Sequence, residues 1–268
     1  MDVLKKILIG MVIGVSNVIP GVSGGTMAVV FGIYDKLISS VTNFLKDWKN
    51  SIKFLGTIAI GAVLGILLFT SLIKLSLENY PEQTKFFFIG LIVGTVPLLY
   101  KKATEKKVNK INYVWLALAF IIAFSMAFMG DPESKGVIIR SISGFNMVKI
   151  FFAGFIAAAT MILPGVSGSF VLLLLGLYDS VITAVTEFNI PFLFVLGVGV
   201  LIGFLTMTKI IETLFTKYPQ TAYFIILGLV VGSVYAIYPG FTFGISGLVS
   251  ILTLIAGFSV AYIIAKNE

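Results

Sequence analysis

The chain has 268 residues, of which 58% are hydrophobic and only 12% are charged, a composition typical of a polytopic membrane protein. No polar stretch is longer than a loop, so the sequence predicts no additional soluble domain. The absence of Cys and His excludes disulfides, thiolate metal sites and the usual general base. We therefore predict no enzyme activity, catalytic residue, cofactor or metal. The net charge of +7 lies largely in loops between apolar runs, which indicates topology signals rather than nucleic-acid binding.

Two apolar runs are interrupted by the same motif. Residues 7–34 carry no charge and contain the sequence PGVSGGT at 20–26, and residues 150–178 carry none and contain PGVSGSF at 164–170. A Pro-Gly pair ends a helix because Pro lacks the amide and Gly gives up backbone order. The small residues that follow would leave backbone amides free at the N-terminus of the next helix, where anions bind.

Each interrupted run predicts a hairpin, at 7–45 in the first half and at 150–186 in the second. The 13 residues from Ile7 to Ile19 make about 20 Å of helix, which is shorter than the ~30 Å hydrocarbon core. We therefore interpret each run as a re-entrant hairpin, with one short helix entering, a break near mid-depth and one short helix leaving. The competing interpretation is two tilted full spans.

Three apolar spans follow each hairpin. They are predicted at 54–73, 86–100 and 111–130, and at 188–208, 222–238 and 246–265. Tyr80-Pro81 recurs as Tyr218-Pro219, and two Gly-x-x-x-Gly pairs recur at the same offset of 138, which favours helix packing over binding. The fold predicted is all-α, with a first repeat at 1–130 and a second at 131–268. Because three crossings separate the hairpins, the second repeat would be inverted.

The loop charges predict the orientation of these repeats. With the N-terminus inside, the inner segments carry a net +8 and the outer segments 0. Basic loops stay in the cytoplasm. We therefore expect both termini and residues 101–110 to be cytoplasmic and residues 131–149 to face outward.

The candidate binding groups lie at the two breaks. They are Ser23, Gly24, Gly25 and Thr26 in the first copy and Ser167, Gly168 and Ser169 in the second. The alternative is that these glycines only let helices pack closely. Asn17 precedes the first break, where the second copy has Met161, and its amide could either cap freed backbone or touch a ligand.

Three further features lie outside the two break motifs. Arg140 could clamp an outer phosphate or be an ordinary loop residue. Lys209 and Glu212 lie one helical turn apart and could form an ion pair or a proton-coupling site. Tyr34-Asp35, which recurs as residues 178–179, is interpreted as an interfacial anchor.

The motif of residues 17–26, followed by Gly32-x-Tyr34-Asp35, resembles the signature of a bacterial membrane family now assigned as polyprenyl-phosphate transporters. Its second copy at 164–169 and 176–179 resembles it too, and the resemblance covers essentially the whole chain. It implies translocation of undecaprenyl phosphate from the outer to the cytoplasmic leaflet of the cell membrane for reuse in cell-wall synthesis, with phosphate contacts at both breaks. The alternatives are a secondary transporter or channel for a small anion, and a non-transporting scaffold. The oligomeric state, monomer or homodimer, is left open.

Overall fold

The computed structural model describes residues 2–17, 22–129, 138–139 and 143–266, which form twelve helices named here in chain order. The helices are α1 (Val3–Ser16), α2 (Gly24–Val30), α3 (Tyr34–Thr42), α4 (Trp48–Asn79), α5 (Pro81–Ala103), α6 (Ile111–Met129), α7 (Gly144–Ile162), α8 (Gly168–Leu174), α9 (Tyr178–Thr186), α10 (Ile190–Lys217), α11 (Pro219–Ile237) and α12 (Ile245–Lys266).

The two halves contain the same series of helices. Each begins with a helix, α1 or α7, that ends before the Pro-Gly motif. A seven-residue helix and a nine-residue helix follow in each half, α2 and α3 in the first and α8 and α9 in the second. Three longer helices complete each half. This matching order of helices fits the duplicated sequence, whereas the inversion of the second half and the division at residue 130 stay predictions.

The chain leaves each break as two short helices, so the prediction of a single outgoing helix is wrong. The second interruption falls at Gly32 and Gly176, whose φ angles are +63° and +65°. Glycine adopts this left-handed conformation without steric cost and ends the helix there. In the second half, α8 and α9 meet at an angle of 111°. The re-entrant path of these segments through the membrane stays a prediction.

Six helices in the described part of the chain are long and apolar enough to cross a membrane: α4, α5, α7, α10, α11 and α12. Five of them overlap predicted spans to within two residues at the ends that fall short, and α6 supplies a shorter apolar stretch, Ile111–Met126. The sixth, α7, begins at Gly144, ahead of the predicted start at 150. The chain is therefore a multi-pass membrane protein.

Four helix pairs form the most extensive contacts: α1 with α4, α7 with α10, α5 with α12 and α6 with α11. A side chain on Gly61 or Gly65 would collide with the backbone of α1, and one on Gly199 or Gly203 would collide with α7. The pairs Gly90 and Gly94, and Gly228 and Gly232, meet α12 and α6 in the same way. These glycines pack helices, as predicted. The α5–α12 and α6–α11 contacts also interlock the two halves.

Candidate functional site

The N-terminus of α2, directly after the first break, is capped by side chains. The amide oxygen Oδ1 of Asn17 accepts a hydrogen bond from the Gly24 N–H at 3.0 Å, and Ser23 Oγ accepts one from the Gly25 N–H at 3.2 Å. Nδ2 of Asn17 donates to the Ile13 carbonyl at 3.0 Å, which fixes the orientation of this amide. The expectation that the Gly24 and Gly25 amides are free is therefore wrong for this conformation, and Asn17 acts as a cap.

The N-terminus of α8, directly after the second break, has no such cap. The hydroxyls of Ser167 and Ser169 lie 2.8 Å apart and bond to each other, and no side chain in the described part of the chain caps this helix. The position equivalent to Asn17 is Met161, whose thioether is at best a weak acceptor. The amides of Gly168 and Ser169 therefore have no side-chain cap among the described residues, and they lie at the N-terminal, partly positive end of a helix.

The two breaks contact each other. The hydroxyl oxygen of Thr26, which is 1% exposed, accepts a hydrogen bond from the backbone N–H of Gly165 at 2.7 Å. Tyr34 donates its hydroxyl to the Ile162 carbonyl at 3.1 Å, and a Cβ on Gly25 would lie 3.0 Å from that same carbonyl oxygen. Residues on the two sides of the chain's midpoint therefore form one polar cluster.

A cavity of about 150 Å³ lies beside this cluster. Its walls include Asn17, Gly24, Gly25, Tyr34, Met161, Ile162, Phe204 and Thr208. The cavity is large enough for several waters. Of the predicted binding residues it brings together Asn17, Gly24 and Gly25, whereas Ser23, Thr26 and the α8 residues do not line it.

The α3–α10 contact closes one side of this cavity. Asn43 Nδ2 donates to Glu212 Oε1 at 2.9 Å, and the ring of Tyr34 lies 6.0 Å from that of Phe215. On the neighbouring helix α11, the hydroxyl of Tyr223 donates to Asp35 Oδ2 at 2.9 Å. The α3 helix is therefore tied to the second half of the chain along its length.

The equivalent helix α9 is not packed in this way. Tyr34 and Ile38 on α3 are 4% and 2% exposed, whereas the corresponding Tyr178 and Ile182 on α9 are 38% and 47% exposed. Among the described residues, α9 makes no contact with α4 comparable to that of α3 with α10. The two halves are therefore in different conformations despite their similar sequences.

The remaining predicted positions have separate environments. Arg140 lies outside the described residues. Glu212 bonds to Asn43, and Lys209 forms no ion pair with it within 4.0 Å in the described structure. The interpretation of Tyr34 as an interfacial anchor is wrong, because this side chain is buried at the contact between the breaks. The recurrence of Tyr34 in both copies was the only sequence signal for this role.

Comparisons with known proteins agree with one another. The model of the VCA0040-like family, described as undecaprenyl phosphate translocase-like, matches residues 13–246. A Staphylococcus aureus protein named polyprenyl-phosphate transporter is 36% identical over 98% of both chains. A Vibrio cholerae protein of the same name is 32% identical over 89% of this chain and 79% of its own length. No solved structure matches significantly. The chain belongs to the undecaprenyl phosphate translocase-like family.

Proposed function

We propose that this chain carries a polyprenyl phosphate, with undecaprenyl phosphate as the expected substrate, from the outer to the cytoplasmic leaflet of the bacterial cell membrane. The names of its two relatives support transport of this class of lipid rather than an enzymatic reaction. The direction of transport and the reuse of the lipid in cell-wall synthesis rest on the family resemblance.

The contact between the two breaks is the observation that carries this proposal. A lipid phosphate has an anionic head that cannot enter hydrocarbon without compensating partners, while its tail can stay in the bilayer. Uncapped amides at Gly168 and Ser169, next to the Ser167 hydroxyl, suit such a head. This end of α8 is the open half of the proposed site in the present conformation.

The end of α2 is the proposed second half of the site. Its amides at Gly24 and Gly25 are occupied by Asn17 and Ser23, and Thr26 is bonded across to the other break. A phosphate that replaced Asn17 would gain the same amide bonds, strengthened by its charge. The proposed phosphate contacts are thus those predicted from the sequence, with Asn17 leaving its capping position as the head arrives.

The packed α3–α10 contact corresponds to closure on one face of the membrane. In the proposed orientation, Asn43 and the C-terminal end of α10 lie on the cytoplasmic side. The present conformation would then be closed to the cytoplasm, with α9 free to admit a head from outside. Transport would proceed as the two halves exchange conformations around the shared site.

Residues at equivalent positions identify the contact that would form on the other face. Asn43 corresponds to Glu187 at an offset of 144, and Glu212 corresponds to Lys74 at an offset of 138. Closure of α9 onto α4 would therefore bring a carboxylate and an ammonium together. In the present conformation Lys74 Nζ lies 3.9 Å from Glu78 Oε1 in an exposed ion pair. Exposed ion pairs are weak enough for Lys74 to change partners.

A second pair follows from the same equivalence. Asp35 and Tyr223, which share a hydrogen bond here, correspond to Asp179 and Lys85. We propose that the outer closure uses the ion pairs Lys74–Glu187 and Lys85–Asp179 where the inner closure uses hydrogen bonds. Charge pairs on the outer side would respond to ionic strength, and the inner hydrogen bonds would respond less.

Two further roles belong to the proposal. Glu212 is the candidate coupling residue, because protonation would weaken its charge-assisted bond from Asn43 and loosen the α3–α10 contact. Lys209, one turn away on α10, is the second residue of this candidate coupling pair. Arg140 is the candidate capture residue for an outer phosphate, where it would act on encounter more than on crossing.

Vesicles that contain the purified protein would test the function directly. Movement of intact polyprenyl phosphate out of the outer leaflet should depend on the protein, while uptake of free inorganic phosphate should not. Uptake of the free anion without movement of the lipid would replace the proposal with the small-anion alternative. If neither the lipid nor the free anion moved, both the lipid-transport proposal and the small-anion alternative would be overturned.

A further inference from the structure

A second, larger polar pocket lies away from the two breaks. It has a volume of about 730 Å³ and opens between the start of α1, helix α3 with the turn that follows it, and the start of α4. Lys6, Lys36, Lys46 and Lys53 line it, together with the single carboxylate of Asp47. The pocket therefore collects four ammonium groups against one acidic group.

The lysines of this pocket have no acidic partner in the part of the chain that the structure describes. Among the described residues, none of the four forms an ion pair within 4.0 Å. The carboxylate of Asp47 accepts bonds from Asn50 Nδ2 at 3.0 and 2.9 Å, so it is engaged elsewhere. Lys36 lies 5.0 Å from the ring centre of Phe54, which holds its ammonium at the pocket wall. Four ammonium groups against one carboxylate leave the pocket lining with an excess of positive charge.

The second half of the chain shows that the fold does not require this charge. The counterparts of Lys6 and Lys36 are Ile150 and Ser180, which are 0% and 1% exposed. Ile139 occupies the corresponding place, where its N–H donates to Ser180 Oγ at 3.0 Å and its side chain packs on the cluster around Ile150. The same site is filled and apolar in one half and open and cationic in the other.

We propose that this pocket binds the phosphate group of an anionic lipid at the membrane surface. Lysine ammoniums are point-charge ligands for phosphate, and each basic residue near an anionic membrane adds to the attraction. The wall that contains Asn43 also carries the α3–α10 contact, so the pocket adjoins the place where the proposed transport path would open. Its link to transport rests on the proposed function, whereas the binding does not.

The local tryptophan offers a reporter. Trp48 is 55% exposed beside Asp47, and the only other tryptophan is Trp115. In vesicles of phosphatidylcholine, brominated phosphatidylglycerol should quench Trp48 in the W115F protein more strongly than brominated phosphatidylcholine does. The triple variant K36Q/K46Q/K53Q should lower this preference at least about tenfold, given the contribution of each lysine.

A matched control variant removes three positive charges from another loop on the same side of the membrane, which is predicted to be cytoplasmic. In the variant K101Q/K106Q/K107Q, the preference for brominated phosphatidylglycerol should stay within about threefold of that of the W115F protein. This variant changes only charges that are more distant from the pocket and screened by salt. Equal losses in both triple variants, or no preference in the W115F protein, would overturn the proposed site.

Competition distinguishes the source of the phosphate. Displacement of the brominated lipid by farnesyl phosphate assigns the site to an isoprenyl monophosphate, and displacement by neither farnesyl nor inorganic phosphate assigns it to the bilayer's own anionic lipid. Displacement by inorganic phosphate as readily as by farnesyl phosphate would contradict a lipid site. Quenching of Trp48 measures binding only, so its outcome is independent of whether the vesicles move polyprenyl phosphate.

Discussion

The side chain of Asn17 marks the chemical difference between the two breaks. Its amide satisfies the Gly24 N–H and the Ile13 carbonyl together, while Met161 at the equivalent position can do neither well. One N-terminus is therefore capped by a side chain, and the other has no side-chain cap in the described part of the chain. Substitution at these two positions should separate capping from phosphate binding.

The substitution Met161→Asn should give α8 the cap that α2 has. A side-chain cap is worth about 1 kcal/mol, so the new amide should compete with phosphate and weaken binding about fivefold. Binding of a short-chain polyprenyl phosphate to the purified protein would measure this. The Met161→Leu variant, which loses the sulfur without gaining a donor or acceptor, should bind the polyprenyl phosphate as tightly as the unchanged protein does. Equal binding by all three proteins would remove α8 from the site.

The hydroxyl of Tyr34 provides the second test at this scale. Tyr34→Phe removes its bond to the Ile162 carbonyl, which should destabilise the protein by about 0.5–1.5 kcal/mol. Tyr178→Phe is the matched control, because that side chain is 38% exposed and forms no such bond in the described structure. The free energy of unfolding of the two variants and the unchanged protein, measured in detergent, would test this. A control as destabilised as Tyr34→Phe would show that the loss does not come from the contact between the breaks.

Local sequence identified the break residues but not their partners. The hydroxyls and glycines at 23–26 and 167–169 could be recognised because they repeat after a Pro-Gly pair. The bond between Thr26 and Gly165 joins residues 139 positions apart, and no pattern along the chain encodes it. For the same reason Tyr34 was assigned to the membrane interface, where tyrosines are common.

At the scale of helices, close packing through glycine determines which segments contact each other. The backbone carbonyl of Phe151 on α7 occupies the place where a side chain on Gly199 would lie. Gly197, on the same helix α10, has no atom within 4 Å of its hypothetical Cβ. The two positions share sequence context and differ only in what they contact.

Gly199→Ala should therefore cost about 1–3 kcal/mol, because α7 and α10 must move apart to admit the methyl group. Gly197→Ala should be neutral or slightly stabilising, since alanine favours a helix. Thermal unfolding of the two variants in the same detergent would decide. Similar melting temperatures would contradict the assignment of the repeated glycines to packing.

Helix boundaries were harder to predict than helix positions. The spans were found because apolar runs long enough to cross a membrane are distinctive. The uncharged run that begins at 150 predicts too late a start for α7, because Lys149 lies inside the helix with its ammonium 4.7 Å from the ring centre of Phe145. A long basic side chain near a helix end can reach the interface from within the helix. The interruptions at Gly32 and Gly176 were missed because an isolated glycine also occurs within helices.

At the scale of the molecule, the loop charges make a prediction of orientation. The inner segments carry +8 and the outer segments 0, so residue 109 should be cytoplasmic and residue 134, which lies outside the described residues, should face outward. The chain has no cysteine, which makes single replacements clean reporters. Asn109→Cys should react with an impermeant thiol reagent only after the cells are opened, and Ser134→Cys in intact cells. The reverse pattern would contradict the orientation, and labelling of both residues from the same side of the membrane would contradict the inverted repeat.

The difference between the two halves leads to a test of the proposed exchange. The Asn43–Glu212 bond holds the closed side, and its counterparts on the other side are Glu187 and Lys74. If the halves exchange conformations, those counterparts must meet once in each cycle. Their charges should then affect transport although the present conformation pairs Lys74 with Glu78.

Lys74→Glu and Glu187→Lys should each slow polyprenyl-phosphate movement in vesicles up to about fivefold, because each places like charges together when α9 closes on α4. The double variant K74E/E187K should restore the rate to within about twofold, since it recreates the attraction in reverse. Glu78→Lys is the control: it removes the partner that Lys74 has now, and it should leave the rate nearly unchanged. A double variant slowed by the product of the two single effects would mean that these residues act independently. That result would contradict the proposed exchange, in which each half adopts the conformation that the other half has now. Such an exchange between inverted halves must bring Lys74 and Glu187 into contact.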